Sequence, residues 1–200
     1  YGCSITRVNS HPVEPPTKSF VKILLTANVI SCTDEKDPKC PKGEMILSGS
    51  GMAVSLVKNK MTVLTAGHVC DIRPTKKIKE IIQVVHVIDH TGTVHQAWPI
   101  LITHNNQVGL ADLCLLWVPT LSVEKIKFSK RPPKIGEELT YIGAPKGIYH
   151  PPTVPIFKGI YSGLVDASSA LFTAPATGGA SGAAVLNKEN KIVGVLWGTK

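Results

Sequence analysis

A single histidine, His68, follows an apolar run and three small residues. The run is Val63-Leu64, and Thr65-Ala66-Gly67 separate it from the histidine. Small residues leave room for the imidazole to face a cleft, where it could take up and return a proton. Taken alone, a histidine after a strand is more often a surface residue or a hydrogen-bonded core residue than a catalyst.

A carboxylate, Asp112, stands at the head of a second apolar run, Leu113-Cys114-Leu115-Leu116. An aspartate at the head of an apolar strand is expected to be partly buried, and a buried carboxylate needs a partner. A histidine N–H is a suitable one. Taken alone, such an aspartate is usually a turn or cap residue.

The third candidate, Ser181, lies in the glycine-rich segment Gly178-Gly179-Ala180-Ser181-Gly182, just before another apolar run. Glycines permit the positive φ angles of a tight turn, which can aim successive N–H groups at one point. The backbone N–H groups of Gly179 and Ser181 would then form an oxyanion hole. A lone Gly-x-Ser-Gly is weak evidence, because such turns are common.

The order of the three candidate residues along the chain strengthens their interpretation as catalytic residues. His68, Asp112 and Ser181 follow one another as in the chymotrypsin-type triad, and not as in subtilisin or the α/β-hydrolases. In this interpretation Ser181 attacks a peptide carbonyl, His68 takes its proton, and Asp112 orients the imidazole. The chemistry needs no cofactor or metal ion, and no cysteine or histidine pairs stand at zinc-ligand spacing.

The triad segments resemble those of trypsin-like serine proteases. Thr65-Ala66-Gly67-His68 resembles their Thr-Ala-Ala-His, Asp112-Leu113-Cys114-Leu115-Leu116 their Asp-(Ile/Leu)-Ala-Leu-Leu, and Gly179-Ala180-Ser181-Gly182 their Gly-Asp/Asn-Ser-Gly. Four further segments are closest in style to the HtrA-like branch: Ser48-Gly49-Ser50-Gly51, Tyr141–Gly147, Lys158–Gly163 and Ile192–Gly198. The resemblance covers Phe20 to Gly198. It implies a serine endopeptidase that acts on polypeptides.

The resemblance also implies an all-β fold of two packed antiparallel β-barrels of the chymotrypsin type, with the active site in the cleft between them. Two departures concern the catalytic turn: Ala180 replaces an aspartate or asparagine that helps to fix the oxyanion loop, and Ala183-Ala184 replaces Gly-Pro. A third concerns the last strand of the second barrel, which is expected to be missing or to lie in a longer parent protein.

Short runs of β-branched and apolar residues between turn residues predict strands throughout, without helical periodicity. We divide the chain into an N-terminal tether (1–18), a first barrel with His68 and Asp112 (19–122), a connection (123–134) and a second barrel with Ser181 (135–200). The predicted strands are Phe20–Ile30, Met45–Val57, Met61–Thr65, Ile81–Asp89, Val94–Ile102, Asp112–Val118, Glu138–Ile142, Val154–Val165, Leu171–Thr173, Ala183–Leu186 and Lys191–Trp197.

The primary substrate pocket of this family is set about six residues before the catalytic serine. The corresponding residues here, Pro175, Ala176 and Thr177, carry no carboxylate, and Trp197 and Gly198 complete the predicted pocket. A basic side chain would lose water there without gaining a counter-charge. The sequence therefore predicts cleavage after small or medium apolar residues, unless a carboxylate such as Asp166 reaches in.

The five cysteines are an odd number. Cys32 and Cys40 flank a polar loop and are predicted to form a disulfide, with two free surface thiols as the alternative. Cys70 and Cys114 lie in apolar segments and are interpreted as buried free thiols. Gly2-Cys3-Ser4 before a polar stretch resembles a bacterial lipoprotein processing site, so Cys3 is a candidate membrane tether, although a plain N-terminus is the simpler interpretation.

The formal net charge is +8, with mild basic clusters at Arg73–Lys79 and Lys125–Lys134. No aromatic side chains interleave with these clusters, so no nucleic-acid partner is expected. The predicted disulfide favours an extracytoplasmic location, secreted, periplasmic or lipid-anchored, and a viral or phage particle is the alternative. A catalytically silent trypsin-like fold that acts as a binding module is the alternative function.

Overall fold

The computed structural model describes residues 13–72, 77–104 and 111–198. The first unit is a closed barrel whose strands lie in the order β1-β2-β3-β6-β5-β4. Every neighbouring pair is antiparallel. Its strands are β1 Phe20–Cys32, β2 Gly43–Val54, β3 Thr62–Thr65, β4 Ile78–Ile88, β5 Val94–Thr103 and β6 Leu113–Trp117.

Alternation along β1 shows why this unit closes around a core. Val21, Ile23, Leu25 and Ala27 are fully buried, whereas the intervening side chains face outward. Successive side chains of a strand point to opposite faces, so this period of two fills the barrel interior. β1 pairs with both β2 and β4, which joins the two ends of the sheet.

The second unit is a curled half-barrel of five strands in the order β11-β10-β7-β8-β9. The all-β, chymotrypsin-type architecture is thus confirmed, but the second unit is open between β9 and β11 within the described residues. Its strands are β7 Glu138–Ile142, β8 Ile156–Leu164, β9 Ala170–Thr173, β10 Ala184–Leu186 and β11 Ile192–Val195.

A shared apolar core joins the two units and fixes the cleft between them. Phe20, Met52 and Val54 of the first unit belong to one buried cluster with Ile142 and Leu186 of the second. Burial of such side chains stabilises the interface by about 1.5–3 kcal/mol each. The cleft is therefore bordered by packed strands on both sides.

The segment between β6 and β7 contributes backbone contacts to both units. Ile126 N donates to Ala53 O at 2.9 Å, and Ser129 N donates to Ile192 O at 2.8 Å. The residues before β1 also contact the second unit, since Asn190 Nδ2 in the β10–β11 turn donates to Glu14 O at 2.6 Å. The division of the chain at 18, 122 and 134 stays a prediction.

Helical structure in the described residues is limited to α1, Gly67–Cys70, and two 3-10 turns, Thr17–Ser19 and Pro145–Gly147. No helix in this part of the chain is long and apolar enough to cross a bilayer. Cys3 lies outside the described residues, and so does part of the basic cluster Arg73–Lys79.

The predicted Cys32–Cys40 disulfide is confirmed. Cys32 ends β1 and Cys40 lies in the loop before β2, with a Cα–Cα distance of 6.3 Å. The bridge closes the polar loop at the tip of the β1–β2 hairpin.

Candidate active site

His68 and Asp112 meet because β3 and β6 are neighbouring strands. Thr65 pairs with Cys114 across the two strands, so the turn after β3 lies beside the start of β6. His68 Nδ1 lies 2.5 Å from Asp112 Oδ2, and His68 N donates to Asp112 Oδ1 at 3.2 Å. The two contacts hold both the backbone and the ring of the histidine.

Burial differs sharply between these partners. The Asp112 side chain is 4% exposed, whereas that of His68 is 46% exposed. A buried carboxylate that accepts the Nδ1–H proton selects the tautomer in which Nε2 is free to accept a proton. The pair therefore has the geometry of an oriented general base.

A second histidine, His104, lies against the same carboxylate. His104 Nδ1 is 3.6 Å from Asp112 Oδ1, and His104 Nε2 is 4.0 Å from Asp71 Oδ2. Sequence reasoning missed His104, because its proximity depends on the β5–β6 register, which pairs Thr103 with Leu113. No local pattern around the residue signals that register.

Cys70 and Cys114 form a disulfide, so their interpretation as buried free thiols is wrong. Their Cα atoms are 6.4 Å apart. Cys70 ends α1 and Cys114 lies on β6, and the fold of α1 back over β6 brings them together. The two segments are 44 residues apart, and sequence spacing alone does not reveal their contact.

Two glycines shape the turn that carries Ser181. Gly179 and Gly182 have φ angles of +91° and +87°, in the left-handed region that favours glycine. A Cβ on Gly182 would collide with Thr65 Oγ1 and Ser50 O of the first barrel. This close approach seats the serine turn beside the segment that leads to His68.

The third contact of the predicted triad is the one between Ser181 and His68. Ser181 Oγ forms no hydrogen bond with His68 within the described part of the chain, although the serine is partly exposed and its O atom accepts from Ser50 N at 2.8 Å. Catalytic hydrogen bonds are often long without substrate and tighten in the complex. The structure thus brings His68 and Asp112 into contact and seats the Ser181 turn next to them.

The N–H groups predicted for the oxyanion hole are both free. Neither Gly179 N nor Ser181 N donates to a protein group in the described ranges. The preceding carbonyl, Gly178 O, accepts from Lys146 N at 2.6 Å and points opposite to Gly179 N–H of the same peptide. Two unpaired N–H groups beside a serine can bind the oxygen of a developing oxyanion.

A small cavity of about 120 Å³ opens next to Ser181. Of the residues predicted for the substrate pocket, Ala176, Thr177 and Gly198 line it, whereas Pro175 and Trp197 do not. Trp197 instead packs against the core of the first barrel. The full lining is Ala176, Thr177, Gly178, Ala180, Ser181, Leu196 and Gly198.

Pro175, which precedes the cavity residues in the chain, is held through its backbone carbonyl. Tyr141 OH donates to Pro175 O. The Tyr141 ring stacks on Phe157 and meets Phe172 edge-on, and burial raises the pKa of Tyr141 to about 12. The hydroxyl therefore stays a donor at physiological pH and ties the segment before the cavity to β7.

Asp166 does not reach the cavity. Its Oδ1 accepts from Ser168 N and Ser169 N, both at 2.8 Å, in the exposed turn between β8 and β9. The cavity lining contains no charged side chain. Across the described ranges, no three His, Cys, Asp or Glu side chains cluster in a way that could hold a metal ion.

The family of the chain is shown by comparison with known proteins. The chain belongs to the trypsin-like peptidase domain family, whose model matches residues 49–195, well over half of the sequence. Membership in a protease family implies polypeptide substrates. No curated protein sequence matches the chain significantly.

Solved serine proteases share the fold. The inactive form of the Rv3671c protease of M. tuberculosis is 18% identical with a TM-score of 0.61, over 92% of this chain and 79% of that one. A serine endoprotease from Yersinia pestis is 20% identical with a TM-score of 0.61, over 90% of this chain and 53% of that one. The chain thus spans about half of the Yersinia protein. At these identities the likeness shows the fold.

Proposed function

We propose that this chain is a serine endopeptidase with Ser181 as nucleophile, His68 as general base and Asp112 as the residue that orients the histidine. The observation that carries the proposal is the 2.5 Å contact between His68 Nδ1 and the buried Asp112 carboxylate, next to the Ser181 turn. A binding surface gains nothing from a buried carboxylate aimed at a half-exposed histidine.

The reaction is acyl transfer in two halves. Ser181 Oγ bonds to the scissile carbonyl carbon as His68 Nε2 takes its proton, and the N–H groups of Gly179 and Ser181 stabilise the oxyanion by about 3 kcal/mol per donor. His68 then protonates the leaving amine as the C–N bond breaks. Water, activated by His68, hydrolyses the acyl-enzyme and restores Ser181.

The substrate preference follows from the cavity. Its lining offers methyl and methylene groups, one threonine hydroxyl and backbone, with no counter-charge for a basic side chain. An unpaired buried charge costs several kcal/mol. We therefore propose cleavage after small or medium apolar residues.

Two observations favour a second candidate, a catalytically silent fold that binds polypeptides. Ser181 Oγ makes no hydrogen bond to His68, and Ala180 lacks the side chain that the family uses in the oxyanion loop. A silent fold would bind peptides in the cleft without cutting them. Activity separates the two candidates.

We propose an extracytoplasmic location, and the Cys32–Cys40 and Cys70–Cys114 disulfides support it. Structural disulfides persist in oxidising compartments. Thiol mapping on protein taken directly from its source, without reductant, is expected to find both bridges formed, and reactive thiols at all four bridge cysteines would contradict the location. A lipid mass on the peptide that contains Cys3 would support the tether.

The experiment that tests the function is digestion of a diverse peptide library, read by mass spectrometry. The wild-type protein is expected to cut after apolar residues, and Ser181→Ala, with an unchanged thermal transition, is expected to cut nothing. Tight peptide binding without cleavage by wild-type protein would establish the silent fold instead.

A further inference from the structure

Ser50 of the first barrel has every polar atom bound to a neighbour, and it is fully buried. Its hydroxyl donates to Gly179 O at 2.8 Å and accepts from Ala144 N at 2.9 Å. Its backbone O accepts from Thr65 Oγ1 at 2.7 Å, and its N donates to Ser181 O at 2.8 Å. One residue therefore links the strand β2, the approach to His68 and the catalytic turn.

Four successive carbonyl groups of that turn are pinned by hydrogen bonds, and Ser50 supplies two of the donors. A trans peptide is planar, and its C=O and N–H point in opposite directions, so a bound carbonyl fixes the direction of the next N–H. The pairs are Lys146 N to Gly178 O, Ser50 Oγ to Gly179 O, Ala183 N to Ala180 O, and Ser50 N to Ser181 O.

These hydrogen bonds orient the two N–H groups that are predicted to bind the oxyanion. The bond from Lys146 N to Gly178 O directs Gly179 N–H away from Lys146. In the same way, the bond from Ala183 N to Ala180 O directs Ser181 N–H away from Ala183. The peptide plane between them is held at its carbonyl by the Ser50 hydroxyl and at its N–H by Thr177 O, to which Ala180 N donates at 3.0 Å. Gly178 and Gly179 lack side chains that would restrict φ and ψ, so loss of this anchor widens the range of conformations that the turn can adopt.

The anchor replaces a contact that the chain lacks. Ala180 offers only a methyl group, so the side chain of this residue cannot fix the loop by a hydrogen bond. We propose that Ser50, in the first barrel, is a positioning residue for the oxyanion loop of the second. It holds that loop in the conformation in which Gly179 N–H and Ser181 N–H are free to bind the oxyanion. The inference rests on the proposed peptidase function. It goes beyond that function because it assigns the ordering of the oxyanion loop to a residue outside the loop.

The test is Ser50→Ala, with kcat referred to active sites titrated by a fluorophosphonate. Loss of the anchor is expected to lower kcat about 10- to 100-fold, because donors that are free to move stabilise the transition state less. KM is expected to change less than about threefold, since Ala176, Thr177, Leu196 and Gly198 of the cavity lining lie outside the anchored turn. Ser50→Thr, which keeps a hydroxyl, is expected to recover part of the loss.

The matched control is Thr62→Val. Thr62 is equally buried and its hydroxyl donates to Val54 O at 2.8 Å within the first barrel. It is expected to lower the thermal transition without changing kcat. A comparable kcat loss in this control would show that any buried hydroxyl matters, and would overturn the positioning role.

Other outcomes are equally decisive. Wild-type kcat in folded Ser50→Ala, or a loss confined to KM, would overturn the inference and leave the peptidase function standing. Should Ser50→Ala not fold, Ser50→Gly leaves room for a water between Ala144 N and Gly179 O, and is expected to lose at least about threefold in kcat. A wild-type protein that hydrolyses no peptide would overturn the proposed function, and the inference with it.

Discussion

Cys70 and Cys114 join the two segments that carry the candidate base and its partner. Each cysteine lies two residues after the side chain concerned, Cys70 after His68 and Cys114 after Asp112. The bridge therefore ties α1 to β6 immediately beside the 2.5 Å contact between histidine and carboxylate. A covalent link at this place restricts the movement of His68 away from Asp112.

Removal of this bridge is predicted to affect both stability and activity. The chain-entropy model gives about 4 kcal/mol for a loop of this length, and a displaced base is expected to lower kcat about tenfold or more. The double variant Cys70→Ala/Cys114→Ala tests this by urea unfolding and by peptide hydrolysis.

The Cys32–Cys40 bridge is the matched control. Its separation is 8 residues and it lies at a hairpin tip, away from the candidate site. Cys32→Ala/Cys40→Ala is expected to lose about 2.5 kcal/mol and to keep wild-type kcat. Equal kcat in both double variants would contradict a link between the Cys70–Cys114 bridge and the active site.

Asp89 is predicted to make stability depend on pH. It is buried, accepts from Thr91 N and Oγ1 and from Thr93 N, and lies 3.1 Å from His95 Nε2. Burial raises the pKa of the Asp89 carboxyl, but the hydrogen bonds outweigh it and lower the pKa to about 2. The unfolded value is near 3.9.

Because the folded pKa is the lower one, the Asp89 contribution is complete above pH ~4 and is lost as the pH falls toward ~2. The lowering corresponds to roughly 2–3 kcal/mol. The free energy of unfolding of wild type minus that of Asp89→Asn is expected to be constant from pH ~5 to ~7 and to shrink by most of that amount at pH ~2. A difference that does not change below pH ~4 would contradict this role.

The cavity next to Ser181 is predicted to set the preferred substrate residue. Thr177→Asp adds a carboxylate to an uncharged lining, and is expected to raise kcat/KM for a lysyl over an alanyl substrate at least about tenfold. Asp166→Asn is the control, since the Asp166 carboxylate is bound within its own turn, and its specificity is expected to equal that of wild type. A majority of wild-type cuts after lysine or arginine would show that the pocket lies elsewhere.

The strands were predictable because their patterns are local. All eleven appear at the predicted places, and Glu138–Ile142 has the predicted bounds. The predicted and observed bounds differ at the ends of strands. β2, for example, ends at Val54, because a turn with Asn59 at φ +59° follows. The alternation of buried and exposed side chains along a strand can be predicted from the residues of that strand alone.

What the sequence could not reveal depends on contacts between distant strands. The Cys70–Cys114 bridge and the place of His104 follow from β3–β6 and β5–β6 registers. The contact of Ser50 with Gly179 crosses between the barrels over 129 residues. Such contacts depend on how the strands assemble, and no local pattern encodes them.

The most direct test of the candidate triad is covalent labelling with a fluorophosphonate, located by peptide mapping. Wild-type protein is expected to take one label, on Ser181, because only an activated hydroxyl attacks the phosphorus at a useful rate. His68→Ala is expected to react at least about a thousandfold more slowly, and Ser181→Ala to take no label. Label that persists in folded Ser181→Ala, or folded wild-type protein that takes none, would contradict the assignment of Ser181, His68 and Asp112 as the catalytic residues.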